Sequence, residues 1–178
     1  GNGNSEFSVI ADPTGNEVNQ AYFDFAPSGT HALRVGRQRI IFDNARFIGN
    51  VGWRQNEQTY DAVSLQAKLA PMTLQYAFLG NVNRIFFDNV DLEAHLLNMQ
   101  ARLGSALSGT IYGYLLDFKD GEDTQTLGLR LQGEHELSLL KLSYAMEFAR
   151  QSDFADSDLV DADYLSVEAG VAKAGLSI

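Results

Sequence analysis

Arginine is concentrated in one short stretch of this chain. Five of these residues fall within 21 positions: Arg34, Arg37, Arg39, Arg46 and Arg54. A guanidinium group keeps its charge at physiological pH and binds a carboxylate through two parallel hydrogen bonds. The cluster is therefore a candidate for binding anionic groups. The alternative is that these arginines hold the chain together in ion pairs. Carboxylates close enough in sequence for this are Glu17, Asp24, Asp43, Glu57 and Asp61.

Other residue types that support chemistry are sparse. Cysteine is absent, which excludes disulfides, thiolate metal sites and thiol nucleophiles. His31, His95 and His135 lack the spacing of metal ligands. Neighbouring carboxylates such as Glu134 and Glu136 have no accompanying motif, and the chain has no nucleophile elbow or phosphate-binding glycine loop. We therefore predict no enzyme activity and no cofactor.

Acidic residues dominate the charge of the chain. The net charge is −10, which argues against a nucleic-acid partner because such proteins carry a basic patch. One acidic run consists of Asp153, Asp156, Asp158, Asp161 and Asp163. Oxygen-rich loops bind divalent cations, but this run lacks the spacing and central glycine of an EF-hand loop. A solvated loop explains it equally well, so we predict no metal site.

The elements that must position these side chains are strands, because apolar and polar residues alternate along most of the chain. In 125–134 the odd positions hold Leu127, Leu129 and Leu131, whereas the even positions hold threonine, glycine, arginine, glutamine and glutamate. A period of two gives a strand one apolar face and one polar face. Strands are predicted near 17–26, 30–40, 59–69, 72–80, 92–103, 106–118, 124–134, 138–150 and 163–173, with another beginning at Leu176. The segments at 17–26 and 106–118 show no clear apolar face. We expect one unit over 1–178.

The connections between these strands alternate in length. Short ones are predicted at 26–29, 69–72, 103–106, 134–137 and 173–175. Long ones are predicted at 1–16, 41–58, 81–91, 119–123 and 151–162. Tight turns at one end and long loops at the other are typical of outer-membrane barrels, whose mean hydropathy is low because only alternate residues meet lipid. The predicted fold class is therefore all-β, an antiparallel up-and-down transmembrane β-barrel.

In such a barrel the polar parity faces the lumen. The residues predicted there are Gln66, Lys68, Asn98, Gln100, Arg102, Arg130, Gln132, Glu134, Lys141, Glu147 and Glu168. Lys68, Arg102 and Arg130 thus join the five early arginines as candidate pore and substrate-binding residues. These polar side chains either line water or satisfy one another as buried pairs. The long connection 41–58 could fold inward and narrow the pore.

Several stretches of the chain carry a resemblance to a known family: VIADPTGNEVNQAYFDF, LRVGRQRIIFDNARFIGNVGWRQNEQTYDA, YAFLGNVNRIF, GYLLDF and EFARQSDFADSDLVDADYLSVEAGVA. In these stretches the chain resembles the alginate-export-type porin family of Gram-negative outer membranes. It implies a monomeric barrel of about eighteen antiparallel strands, within the known size range of such barrels, with an arginine-lined pathway for an anionic polysaccharide. With nine or ten strands visible, we expect an internal segment of a larger barrel. Its free edges would need missing strands, another chain or closure into a smaller barrel, because unpaired backbone groups are costly in lipid.

The function expected from this resemblance is passive passage of anionic oligo- or polysaccharides, or of small anionic solutes. The expected surroundings are the lipid of a Gram-negative outer membrane. Two alternatives remain at this point. One is a structural barrel whose lumen is plugged or holds a partner, and the other is a soluble β-protein that binds glycans.

Overall fold

Alternating side chains build a single antiparallel sheet. The structure is a computed structural model and describes residues 15–54, 56–155 and 158–173. Its strands are β1 (Ala21–Ser28), β2 (His31–Gln38), β3 (Thr59–Leu69), β4 (Met72–Asn83), β5 (Asn89–Arg102), β6 (Leu107–Phe118), β7 (Thr124–Leu137), β8 (Leu140–Asp153) and β9 (Asp161–Lys173). Each strand pairs with its neighbour in the chain, in the order β1 to β9. The predicted all-β up-and-down architecture is confirmed. Within the described residues, no helix is long and apolar enough to cross a membrane.

The alternation of short and long connections is also confirmed between β1 and β9, whereas the connections predicted at 1–16 and 173–175 lie largely outside the described residues. Short turns join β1 to β2, β3 to β4, β5 to β6 and β7 to β8, whereas 39–58, 84–88, 119–123 and 154–160 form the long connections. The turn predicted at 134–137 was wrong. Strand β7 continues to Leu137, because His135 and Leu137 extend its pairing opposite Leu142 and Leu140. The turn is instead Ser138-Leu139. The strand predicted at Leu176 lies outside the described residues.

One face of the sheet is an exposed apolar surface. Ile111, Leu129, Phe148 and Leu165 are direct cross-strand neighbours on four successive strands. Their exposed fractions are between 45% and 65%. Exposed apolar surface that continues from strand to strand is unusual in a soluble monomer and typical of a wall that meets lipid. We call this the outer face.

The opposite, inner face has an apolar zone and a polar zone. The apolar zone lies toward the long connections and includes Ala77, Leu79, Ala94, Leu96 and Tyr114, all at most 2% exposed. Its cover is not another sheet but residues of the connection 39–58. Toward the short turns, the same face carries glutamines, arginines and glutamates instead. The core of the described region thus lies between the inner face and one loop.

The sheet is open. β1 pairs only with β2, and β9 only with β8, among the described residues. Each of these two strands therefore has one edge without a partner strand in that part of the chain.

Candidate functional site

The connection 39–58, here called the inner loop, folds across the inner face of the sheet. Phe42 stacks on Tyr114 with 5.9 Å between ring centroids. Phe47 packs against Tyr112 at 5.7 Å and edge-on against Tyr164 at 5.6 Å. The inward fold anticipated for this loop is therefore observed. Apolar packing against strands as far apart as β6 and β9 fixes the loop over the middle of the sheet.

Glu57 ties the base of the inner loop together. Its side chain is 9% exposed, and its carboxylate accepts hydrogen bonds from two guanidinium nitrogens of Arg39, Nε at 2.6 Å and Nη2 at 2.5 Å. Asn19, which precedes β1, and Asn50, in the middle of the loop, each donate to it at 2.7 Å. These donors favour the charged form, with Arg39 the largest contributor, and they lower the pKa of Glu57 to about 2.

Asp43 carries a carboxylate of the inner loop to the sheet. It accepts a hydrogen bond of 2.6 Å from Nδ2 of Asn98 on β5, and Asn98 also donates to the Tyr114 hydroxyl at 3.4 Å. Asp43 as a whole residue is exposed, but its carboxylate is partly desolvated where it meets the side chain of Asn98, which is 3% exposed. This desolvation raises the pKa of Asp43 above its ordinary value, although the Asn98 bond acts in the opposite direction.

A buried ion pair lies on the inner face beneath the loop. Arg130 on β7 and Glu147 on β8 have side chains 7% and 1% exposed, and Nη1 donates to Oε2 at 2.7 Å. The second oxygen of Glu147 accepts from the Tyr112 hydroxyl at 2.7 Å. Glu168 lies 3.5 Å from the same guanidinium. Arg130, a predicted pore residue, therefore lies on the inner face as a neutralised, largely buried charge.

Three of the five early arginines are held by carboxylates. Arg34 on the inner face binds Asp24 through two bonds of 2.6 and 2.8 Å. Arg39 binds Glu57 as described above. Arg37 has the parity of the outer face and binds Asp61 at 2.8 Å. It also lies 3.3 Å from Glu17. These partners are the carboxylates that the structural alternative named.

The remaining predicted cations have different surroundings. The Arg46 guanidinium lies 5.4 Å from the Tyr164 ring centroid, and that of Arg54 lies 4.2 Å from the ring of Trp53. Lys68 and Arg102 have inner-face parity near the short-turn end and are exposed. Arg46, Lys68 and Arg102 have no carboxylate partner among the described residues. The predicted set therefore includes cations that carboxylates bind, such as Arg34, and cations that no carboxylate of the described residues binds, namely Arg46, Lys68 and Arg102.

Among the described residues, two of the cavities on the inner face bear on this site. The larger, of about 870 Å³, opens at the short-turn end and is lined by Arg102, Glu134 and Glu168 among other residues. The smaller, of about 280 Å³, lies between the inner loop and the sheet. Gln75 lines it and is not among the residues that the sequence predicts to face the lumen. The missing signal was the register of β3 with β4 and of β4 with β5, which aligns Gln66, Gln75 and Asn98 in one row.

The acidic run forms ion pairs at the long-connection end. Arg150 binds Asp161 at 2.6 Å and Asp163 at 3.4 Å. Asp156 lies outside the described residues. In the portion that the structure describes, no three His, Asp or Glu side chains are grouped so that they could hold a metal ion.

Comparison with known proteins identifies the class. Two solved outer-membrane porin barrels match the structure: OccAB4 of Acinetobacter baumannii, with a TM-score of 0.67 and 12% identity, and OccK9 (OpdG) of Pseudomonas aeruginosa, with 0.65 and 11%. Each match covers 82% of this chain. The chain spans 39% and 40% of the lengths of those proteins. The fold is thus that of part of an outer-membrane porin barrel.

The family is also shown. Residues 11–170 match the alginate export family, described as "Alginate export", and the chain belongs to that family. No curated protein matches the sequence.

Proposed function

We propose that the barrel containing this chain is a passive channel in a Gram-negative outer membrane, with its outer face in lipid. Its solutes would be anionic oligo- or polysaccharides, or small anionic molecules. Family membership and the porin fold support the channel, and the observation that carries the proposal is the inner loop. A loop packed across the inner face narrows the lumen while leaving a polar zone open beside it.

The unpaired cations would give the channel its preference for anions. Arg46, Lys68 and Arg102 face the inner side with no carboxylate to neutralise them among the described residues. Fixed charges lining a narrow lumen raise the local concentration of counter-ions and so bias conduction. Arg34, Arg39 and Arg130 would instead keep the wall and the loop in shape, because carboxylates already bind them.

The experiment is a planar-bilayer recording of the intact protein in a salt gradient. We expect an open, anion-selective current that an oligouronate blocks. Changing Arg46, Lys68 and Arg102 together to glutamine should shift the reversal potential toward cation selectivity. Arg37→Gln is the matched control and should leave the potential unchanged, because Arg37 has outer-face parity.

Two outcomes contradict this proposal. A correctly folded protein that carries no current would favour a plugged or scaffolding barrel. An unchanged reversal potential in the triple variant would show that these cations do not select the solute.

A further inference from the structure

The smaller cavity is lined almost entirely by uncharged hydrogen-bonding groups. Its lining consists of Asp43, Asn44, Gln75, Asn98, Gln100 and Gln132. The first two come from the inner loop and form one wall, and the other four come from β4, β5 and β7. Four of the six are therefore carboxamides presented by strands, which hold them more rigidly than a loop would.

Several of these carboxamides have unused hydrogen-bonding capacity. Neither Gln75 nor Gln100 has a side-chain partner among the described residues. Gln132 accepts one bond of 3.1 Å from Arg130, which leaves its amide hydrogens available. Asn98 uses its donors on Asp43 and Tyr114, which leaves its carbonyl oxygen. The cavity therefore offers both donors and acceptors to whatever occupies it.

This arrangement fits hydroxyl groups better than it fits charges. A carboxamide places a donor and an acceptor side by side, and a hydroxyl both donates and accepts. Neighbouring hydroxyls on a sugar ring can thus bind two carboxamides at once. An anion, in contrast, would leave the amide oxygens without a donor and would lie close to the Asp43 carboxylate.

We propose that this cavity is a saccharide subsite that binds a sugar unit through its hydroxyls, whether or not the unit carries a carboxylate. The inference deepens the proposed channel function and rests on it for the route by which sugar arrives. The charged residues and the carboxamides would have different roles. Arg46, Lys68 and Arg102 attract charge at long range, whereas the carboxamides select for hydroxyls on contact.

The register of the sheet supports a preformed subsite. Gln75 lies directly opposite Asn98 in the pairing of β4 with β5. Gln100 follows Asn98 by two residues and so shares its face. Asn98 is 3% exposed and is fixed by Asp43, which anchors the loop wall to the strand wall. No rearrangement of the backbone is needed to bring these groups together.

The test is current blockade of the intact, membrane-assembled protein by three probes. They are maltotriose, which is uncharged, an oligomannuronate of three units, and propane-1,2,3-tricarboxylate, which is anionic and has no hydroxyl. Gln75→Leu combined with Gln100→Leu should weaken blockade by both sugars about tenfold, since two neutral hydrogen bonds are lost. Blockade by the tricarboxylate should not change.

Gln66→Leu is the matched control, because Gln66 shares the inner face with Gln75 but does not line the cavity. It should leave all three blockade constants as in the wild type. If the variant with both leucine substitutions does not assemble, the variant Gln75→Asn with Gln100→Asn takes its place. It keeps both amides but shortens each side chain by one methylene. Unchanged sugar blockade in a variant that conducts, or equal weakening by Gln66→Leu, would overturn the subsite.

Calorimetric titration of maltotriose in detergent separates the two proposals. If the wild-type protein binds maltotriose but carries no current, and the variant with Gln75 and Gln100 changed does not bind it, the subsite is upheld and the channel is rejected. A conducting protein with no measurable sugar binding in either assay would uphold the channel and reject the subsite.

Discussion

Glu57 joins three parts of the chain that are separate in sequence. It receives Arg39 from the start of the inner loop, Asn50 from its middle and Asn19 from the segment before β1. Because charge-assisted hydrogen bonds are the strong ones, loss of this one carboxylate should loosen the whole base of the loop. Trp53, the single tryptophan, is 72% exposed on the same loop and is a native reporter of its motion.

The pKa of Glu57 sets the pH range of this effect. Since its pKa in the folded protein is about 2, below the ordinary value of 4.5, its contribution to stability is complete above pH 4.5 and is lost as the pH falls toward 2. We expect the fluorescence anisotropy of Trp53 to be constant near neutral pH and to fall over that acidic range. Glu57→Gln should lower the anisotropy already at pH 7. Glu134→Gln, at the short-turn end, should reproduce the wild-type profile.

The Arg130–Glu147 ion pair is buried, so we expect its loss to lower the free energy of unfolding. Arg130→Met leaves the buried Glu147 carboxylate uncompensated and should lower the free energy of unfolding by about 3–5 kcal/mol. Glu147→Gln should cost less, because Glu168 still lies 3.5 Å from the Arg130 guanidinium. The double variant should lose much less than the sum. Urea unfolding in lipid vesicles measures this coupling, and simple additivity would contradict the pairing.

At the scale of elements, β3 allows the two faces to be tested on adjacent residues. Leu65 lies on the outer face and is 42% exposed, whereas Gln66 lies on the inner face. Leu65→Arg should cost about 2–4 kcal/mol of folding free energy in a bilayer, since it places a charge in lipid. Gln66→Arg should assemble normally. Equal effects of the two changes on folding into vesicles would refute the assignment of faces.

The inner loop is held mainly by aromatic packing, and Phe47 is its central contact. Phe47→Ala should cost about 2 kcal/mol, less than the roughly 3–5 kcal/mol of a fully buried phenylalanine, because Phe47 is only partly buried. If the loop narrows the lumen, this change should raise single-channel conductance. Trp53→Ala removes an equally large but exposed side chain from the same loop and should not.

The strands were the part of the structure that the sequence predicted best. A strand is easiest to recognise when its two faces differ in polarity. β3 was predicted at its observed bounds because Val63, Leu65, Ala67 and Leu69 alternate with Ser64, Gln66 and Lys68 over most of its length. The segment at 106–118 showed no clear face, because Tyr112 and Tyr114 on its inner side are buried under Phe42 and Phe47. Apolar and polar residues alternate along a strand only where one of its faces meets water. When a loop from elsewhere in the chain covers that face, the alternation is lost.

The candidate site was predicted less completely, for a related reason. Ion pairs such as Arg34 with Asp24 follow from a short hairpin and were foreseen as an alternative. The row containing Gln75 and Asn98 depends on how two hairpins align, and a shift of one residue would move either side chain to the other face. Composition and spacing carry no information about that alignment.

At the scale of the whole molecule, the open sheet requires completion. In lipid, each unpaired backbone group costs several kcal/mol, and β1 and β9 both have an edge without a partner in the described residues. We therefore expect both edges to pair with further strands, from the same polypeptide or another chain. Hydrogen exchange in lipid vesicles checks this, because the outward amides of β1 and β9 should be as protected as those of β5.

The apolar packing beneath the inner loop also has an electrical consequence. Swinging the loop away would wet Leu79, Leu96 and the rings of Tyr112 and Tyr114 at once, so the loop should stay seated during conduction. A pore narrowed by a seated loop has a constant resistance. Its single-channel record should be quiet, with long steady openings and little flicker, and Phe47→Ala should make the same record noisy.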